Sequence, residues 1–491
     1  MKVAILSVPY MEPMPAVAPI LLSSVLKQKN IDAEAHDFAF AWYKHFIKHD
    51  YWQDIKHLFT LGIKPDNLPW SVIKQLMKFN KHYVSQFKHH DWIGLSVFTA
   101  ESYDYATLLV YAIKKYCPGV KIMVGGKGIE TQSGDQFHYD IWWKHGMADL
   151  IMVGDCEHTL ADCMLNNTEG VYKSPPQNKQ DLDAIPLASW QEYDLQDYYD
   201  YKNDMSVEPY MAITASKGCV RNCTFCDVNS FWPGYIYRDP NNVATEIITG
   251  YRNTGIKEFM FMDNLMNGSV KHYRQINQKL LDIEGHIKYG GYAIFRNRHQ
   301  MPVDDFELAR RAGCYWWSIG VESGSEKLRY EIGKKFTDDD LDWTAHQLAK
   351  QEIKQYWLLM VGYPSESDQD FAQTLKMIRR YESIARKGLI QISVTPTFML
   401  LNNSPIMKNN LLSHKLGLDH NRGLEHIDKF WTSTVYPNNT FPVRADRYKQ
   451  AMQVIEDCGY VFQPGADIEK WNEEVNNLEK VYHENKSKVT S

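Results

Sequence analysis

Three thiols set at short intervals are the first chemistry the chain offers. Ser216-Lys217-Gly218-Cys219-Val220-Arg221-Asn222-Cys223-Thr224-Phe225-Cys226 spaces its cysteines by four and three residues. Soft thiolates in one loop suit an iron–sulfur cluster or zinc. Three ligands leave one metal position open, which a catalytic site needs and a closed structural site does not. A zinc site that only stabilises the fold is the alternative reading of the same triplet. Eight cysteines in 491 residues are too sparse for a disulfide framework and suggest metal binding in a reducing compartment. Cys117, Cys163, Cys314 and Cys458 have no partner at metal spacing and are expected to pack as small apolar side chains. Cys156 is expected to do the same, although it falls in a loop that could meet a ligand.

The elements that must hold these thiols follow from hydrophobic rhythm. Val3–Val8 reads as a buried strand, Pro9 to Pro19 as a loop, Ile20–Gln28 as a helix and Ile31–His36 as a second strand. Residues 41–90 read as a helical insertion, with Trp42, Phe46, Trp52, Ile55, Leu58 and Phe59 at helical spacings. Its histidines, His45, His49, His57, His82, His89 and His90, define no metal site and are expected on solvated helix faces. Trp92–Phe98, Val120–Val124 and Leu150–Val153 read as strands, with helices over Tyr103–Tyr116 and from about His158. This alternation predicts a parallel, Rossmann-like sheet over residues 1–170, with ligands at the carboxyl ends of its strands. The polar stretch Asn166–Gln180 is expected to break the pattern and open a linker over 171–209.

A second β/α series begins near residue 210. Its strands are predicted at Met211–Ala215, Glu258–Met262, Ile287–Ala293, Trp316–Val321, Gln355–Val361 and Gln391–Thr397, with helices such as Val243–Tyr251, Val303–Ala312, Thr337–Lys350 and Asp368–Lys387 between them. Six strands predict a partial (β/α)6 TIM barrel over 210–402, because eight would run short of residues. The cysteines then lie at the top of the first barrel strand. Residues 403–491 read as a small, mostly helical region of loops and short amphipathic helices with a frayed tail from Asn485. The fold class is α/β.

In that position the pattern C-x-x-x-C-x-x-C resembles the signature of the radical S-adenosylmethionine (SAM) superfamily. The resemblance covers about residues 210–400. It implies that Cys219, Cys223 and Cys226 hold a [4Fe–4S] cluster whose open iron binds SAM, and that one electron cleaves SAM to a 5′-deoxyadenosyl radical. It also implies that Phe225 packs on the adenine. Phe261-Met262-Asp263-Asn264 falls where the superfamily meets the SAM amino group, without the usual Gly-Gly-Glu, and implies a role for Asp263. Gly320-Val321-Glu322-Ser323-Gly324-Ser325 is similar to the E-S-G-S segment near the ribose and carboxylate, which implies roles for Glu322 and Ser323. Leu359-Met360-Val361-Gly362-Tyr363-Pro364-Ser365-Glu366 resembles the G-x-P-x-E turn of the adenine wall and implies roles for Gly362 and Glu366.

The N-terminal part resembles the cobalamin-binding class of that superfamily. Its landmarks are the Pro-rich loop before Leu21, Gly94-Leu95-Ser96-Val97-Phe98-Thr99, Val124-Gly125-Gly126, Asp149-Leu150-Ile151-Met152-Val153-Gly154-Asp155-Cys156-Glu157, and Asp181-Leu182-Asp183-Ala184-Ile185-Pro186. The resemblance implies cobalamin contacts at Ser96, Thr99, Gly125, Gly126 and Gly154. No D-x-H-x-x-G motif supplies a histidine for cobalt, and a retained but empty domain is the alternative.

Composition narrows the partners. Apolar residues make up 44% and charged residues 23%, and no apolar run reaches the roughly 18 residues of a membrane span. The short apolar N-terminus reads as a strand, not a signal peptide, so a soluble, cytoplasmic protein with no membrane partner is expected. The 54 basic and 60 acidic side chains give a net charge of −6, which offers nucleic acid no general attraction. The resemblance to the cobalamin-binding class implies radical methyl transfer to an unactivated carbon or phosphinate centre of a small molecule or peptide. Electrons would come from a donor such as flavodoxin or ferredoxin. A radical cyclase, oxidase or rearrangement enzyme, or a non-catalytic metal-stabilised binding protein, stays open. A tRNA methylthiotransferase would need three more N-terminal cysteines and a β-rich C-terminus, neither of which is present.

Overall fold

Short apolar runs build two six-stranded sheets. The computed structural model describes residues 1–489 except 11–13, 53–54, 56–57, 59–66, 134–135, 202–208, 396, 402, 419–426 and 461–467. Pro13, His57 and Phe59 therefore lie outside the described residues. The chain divides into two compact units, Met1–Ala212 with Thr249–Ile256, and Ile213–Ile248 with Lys257–Ser491.

In the first unit, β1 (Lys2–Ser7), β2 (Asp32–His36), β3 (Trp92–Ser96), β4 (Lys121–Gly125), β5 (Leu150–Val153) and β6 (Gly170–Lys173) lie in the order β2-β1-β3-β4-β5-β6. All pairings are parallel. Val3, Ala4, Ile5 and Leu6 are buried on both faces of β1, which is why a parallel strand reads as an unbroken apolar run. The helix Val17–Gln28 buries Ile20, Val25 and Leu26, and Leu26 joins Val3, Ile5, Met123 and Met152 in one core cluster. Strand order reverses between β1 and β3, the switch point where such sheets open a ligand crevice.

Two readings change here. The stretch expected to break the pattern contains β6, whose Gly170-Val171-Tyr172-Lys173 has few apolar residues because it pairs on one side only. His90 is not on a solvated face; it is buried, with Nε2 2.6 Å from the Glu34 carboxylate. His45, His49, His82 and His89 are exposed as expected. The described part of the insertion holds the helices Phe38–Phe46 and Trp70–Val84.

The second sheet runs in sequence order through β7 (Met211–Ile213), β8 (Glu258–Phe261), β9 (Lys288–Ala293), β10 (Cys314–Glu322), β11 (Lys354–Met360) and β12 (Ile390–Thr395). Helices Pro240–Thr254, Val270–Leu280, Val303–Arg311, Asp338–Lys350 and Asp368–Arg380 join successive strands, completing the partial (β/α)6 barrel. Capping boxes at Thr337/Asp340 and Ser367/Asp370 start the last two, each with acids in its first turn and bases in its last, as the helix dipole favours. Trp317, Ile319, Val321 and Trp357 are fully buried.

The C-terminal region is helical, but not made of short helices alone. Phe441–Asp457 spans 17 residues and Ile468–Val489 spans 22. Phe441, Ala445, Tyr448, Met452 and Ile455 recur at spacings of four and three and are all buried, the pattern of a long helix packed along one face. The tail from Asn485, expected to fray, continues the last helix to Val489. No described helix is long and apolar enough to cross a membrane.

Candidate active site

The thiol loop is fastened before and between its cysteines. It leaves β7 through an antiparallel ribbon that pairs Ser216–Gly218 with Tyr235–Tyr237. Gly218 takes φ +79°, and a Cβ there would lie 1.9 Å from the Gly234 carbonyl oxygen, so only glycine lets the chain turn into Cys219. The Cys219 N–H donates to that same carbonyl at 3.0 Å. Further along, the Thr224 N–H donates to Ile332 O at 2.9 Å, and Thr224 Oγ1 lies 2.9 Å from the Tyr363 hydroxyl.

Cys219, Cys223 and Cys226 are free thiols on the wall of one cavity. Phe225, Asn264, Tyr292, Gly320, Glu322 and Lys334 also line it. The Arg221 N–H points at Cys219 Sγ, 3.4 Å away, a contact that suits a sulfur carrying negative charge. Burial pushes the Cys223 thiol up to about 11 and raises Cys226 as well, so a metal is needed to draw their protons off. Among the described residues no group of three or more His, Cys, Asp or Glu side chains is gathered to hold a single ion; the three thiols instead share a cavity wall. Such a soft donor set, facing polar groups across an open volume, fits a polynuclear iron–sulfur group with one free position.

Facing the thiols is a buried ion pair. Glu322 takes φ +66° at the end of β10, a conformation rare outside glycine that clusters at functional sites. Its Oε1 lies 2.7 Å from Lys334 Nζ. Gly320 makes room for the pair, since a Cβ there would fall 2.3 Å from that Nζ and 2.4 Å from that Oε1. Burial opposes the charge on Lys334, but Glu322 and the thiols of Cys223 and Cys226 outweigh it and raise the ammonium above its ordinary value. The same Nζ sits 5.7 Å from the Phe225 ring centroid, within cation–π range.

Not every expected residue reaches this cavity. Asp263 lies beneath the loop, accepting from the Ala215 N–H at 2.7 Å and the Ser216 hydroxyl at 2.5 Å; a carboxylate 1% exposed spends its oxygens on the backbone that carries the cysteines. Its neighbour Asn264 lines the cavity instead. Ser323 turns away, with Oγ 3.2 Å from Thr374 Oγ1. Gly362 and Glu366 bind each other, Gly362 N–H to Oε2 at 2.7 Å, and Glu366 pairs with Arg447 at 2.9 Å. Burial pushes the Glu366 carboxyl up to about 7 against the pull of Arg447. These two residues grip the C-terminal helix and do not line the thiol cavity.

The first unit has a slot of its own at the β1/β3 switch point. Ile5, Met123 and Met152 form its sheet wall, and Ala18, Leu21 and Leu22 of the covering helix form the other. Ser96, Gly125, Gly126 and Gly154 line its rim. Thr99 does not; its Oγ1 lies 3.1 Å from Ser102 Oγ, at the start of the helix Ser102–Tyr116. Gly94 keeps the slot open, because a Cβ there would come within 2.7 Å of Met123 Cε. Gly126 serves the turn itself, since a Cβ would fall 2.3 Å from Val97 O. Cys156 lines the slot and also packs on the core cluster. An apolar slot that a single Cβ would narrow fits a flat organic group such as part of cobalamin.

Residues 213–378, which contain the thiol loop, β8 to β11 and the Glu322–Lys334 pair, match the family described as the Radical SAM superfamily. The chain contains a radical SAM domain. It is 26% identical over 306 residues to the anaerobic magnesium-protoporphyrin IX monomethyl ester cyclase of Synechocystis, covering 59% of this chain and 58% of that one. It is 26% identical over 165 residues to cytidylyl-2-hydroxyethylphosphonate methyltransferase of Streptomyces wedmorensis, covering 32% and 29%. The chain thus spans less than two thirds of these curated relatives. Its fold is similar to that of the radical SAM methyltransferase TsrM of Kitasatospora setae, solved with cobalamin and a [4Fe–4S] cluster, at TM-score 0.64 and 14% identity over 87% of this chain and 82% of that one. A radical SAM domain uses SAM and a [4Fe–4S] cluster.

Sequence reading missed Lys334, a lysine on the cavity wall. Lys334 of the radical SAM domain stands twelve residues beyond Glu322, with the helix Glu326–Glu331 between them, and no spacing rule joins the two. Asn264 was legible only as a neighbour of Asp263, and Tyr292 only as a strand residue. Arg447 lies 81 residues from Glu366, in a region with no recognisable motif.

Proposed function

We propose that the protein is a radical SAM enzyme that holds its cluster on Cys219, Cys223 and Cys226, SAM in the adjoining cavity, and cobalamin at the slot of the first unit, to transfer a methyl group to an unactivated centre. The observation that carries this reading is the single cavity shared by three thiols, Phe225 and the Glu322–Lys334 pair. A [4Fe–4S] cluster held by these thiols would supply the one electron that cleaves the sulfonium of SAM to methionine and a 5′-deoxyadenosyl radical, and cobalamin in the slot of the first unit would supply a carrier for the methyl group. Glu322 and Lys334 offer opposite charges to the ammonium and carboxylate of the SAM amino-acid end. Phe225 offers the adenine an apolar face and Asn264 adds an amide.

A small molecule or peptide is the substrate class, with flavodoxin or ferredoxin as donor in a reducing, cytoplasmic setting. The cobalamin slot and the similarity to a methyltransferase support methyl transfer. The similarity to a cyclase supports radical ring closure as the second reading. Anaerobic reconstitution tests the shared core: a brown protein that forms 5′-deoxyadenosine from SAM with dithionite is expected, and Cys223→Ala is expected to lose both colour and product. A colourless zinc protein overturns it. Equilibrium dialysis with hydroxocobalamin separates the two readings, with one equivalent bound for methyl transfer; no binding by a SAM-cleaving protein leaves the cyclase.

A further inference from the structure

The loop that carries the thiols has an outer face as well as an inner one. Cys219, Arg221 and Cys223 line the thiol cavity, whereas Val220 and Asn222 between them do not. Val220 is 44% exposed, and Asn222 is exposed as well. The segment packed against the loop repeats the alternation: Lys334 lines the cavity, and the next residue, Lys335, is exposed and does not. A Cβ on Gly333 would lie 3.0 Å from Asn222 O and 3.1 Å from Cys223 Cα, so this segment touches the loop directly. A third segment joins them. Pro233 and Gly234 are exposed, and the Gly234 carbonyl accepts from the Cys219 N–H at 3.0 Å. Residues 220–222, 233–234 and 333–335 thus bring an outer surface to within one residue of the thiols along the chain.

Val220 and Pro233 give this surface an apolar spot, and Asn222 and Lys335 give it a polar, cationic margin. More positive charge lies behind it. Arg221 donates to Lys335 O, and Arg296 donates to the carbonyls of Asn267 and Gly268. Burial lowers Arg296, and the charge of Arg221 adds to that, so the two guanidiniums stand close together. Among the described residues neither of them, nor Lys335, pairs with a carboxylate. Charges held partly away from water are weakly screened, and their field reaches the surface. Of the acids on the same segments, Asp338 is held by Arg329 and Asp340 by its capping box, which leaves Asp227 and Asp339. The spot is therefore positive within a chain of net charge −6.

Electron tunnelling falls off steeply with distance, so a protein donor must bring its redox centre to the thinnest cover over the thiols. We infer that this surface docks a flavodoxin-type electron carrier, with the apolar dimethyl edge of its flavin on Val220 and Pro233 and its acidic rim around Lys335. The inference rests on the reading of the three thiols as cluster ligands and adds the route by which the electron enters. In that step the anionic flavin hydroquinone loses one electron and becomes the neutral semiquinone, the oxidised cluster gains it, and no proton moves.

The test mixes the full chain, its cluster reconstituted, with hydroquinone flavodoxin in a stopped-flow spectrometer, and uses dithionite as a small reductant that needs no docking. Val220→Glu and Lys335→Glu are expected to slow electron transfer from flavodoxin about tenfold at low salt and less at high salt. Reduction by dithionite is expected to stay unchanged. Lys376→Glu, exposed on the helix Asp368–Arg380, alters net charge as much as Lys335→Glu does and is expected to keep the native rate. Hydrogen exchange on the native protein reads the surface without a variant: flavodoxin is expected to protect 220–222 and 333–335. Native rates in both variants at this surface, an equal loss in Lys376→Glu, a matching loss with dithionite, or protection confined to other segments overturns the docking surface. A native chain that takes up no cluster, yet is protected by flavodoxin at these segments, leaves the surface standing and sinks the cluster reading. A cluster that dithionite reduces and flavodoxin does not does the reverse.

Discussion

Asp263 shows how a buried carboxyl can serve a cofactor loop without touching the cofactor. Burial pushes it up to about 6 from an ordinary 3.8, against the opposing bonds from Ser216 and Ala215. The folded state therefore holds this proton more tightly than the unfolded chain. The stabilisation it brings is complete below about 3.8 and is lost as pH rises through about 6. Relative to Asp263→Asn, the native protein is expected to lose up to about 1.4 kcal/mol per pH unit across that window, read by urea unfolding at pH 4.5, 5.5 and 7. Parallel curves for the two proteins would show a carboxylate ionised throughout. The Glu322–Lys334 pair follows different logic: each group holds the charge the other needs, at 2.7 Å, so the pair is ready for a zwitterion before any ligand arrives.

At the level of elements, the turn after β11 works as a clasp. Gly362 takes φ +86°, its N–H binds Glu366, and a Cβ would strike Arg444 Cδ at 2.2 Å. Arg444 and Arg447 both belong to the helix Phe441–Asp457, Arg444 lies over the Trp431 ring at 3.9 Å, and Asn439 Nδ2 donates to Tyr363 O at 2.8 Å. Arg447→Ala strands the Glu366 carboxyl, whose side chain is 1% exposed, and is expected to cost about 3–5 kcal/mol when that carboxyl is charged. Because Glu366 titrates near 7, it can take up a proton instead below that value. The loss is expected to be larger at pH 8.5 than at pH 5.5, measured by denaturant midpoints; equal losses would mean that the arginine acts through packing alone.

Across the whole molecule, the 54 bases and 60 acids leave a net charge of −6, so the protein is expected to pass through a heparin column at physiological salt, and retention would reveal a local basic face. The thiol triplet and all six barrel strands were legible because each is written in local spacing: i+2 alternation, i+3 and i+4 recurrence, cysteines four and three apart. The same held for the first sheet except β6, whose four residues fall below what periodicity can detect. Phe225 and Glu322, which the superfamily's motifs mark as SAM contacts, both stand on the wall of the thiol cavity. What it left undecided was every contact made across the fold. Asp263 and Asn264 are adjacent in sequence, and the sheet geometry sent one beneath the loop and the other into the cavity. Lys334 met Glu322 and Arg447 met Glu366 through strand register and helix docking. Those pairings depend on how distant segments settle against one another, and no short stretch of chain encodes that.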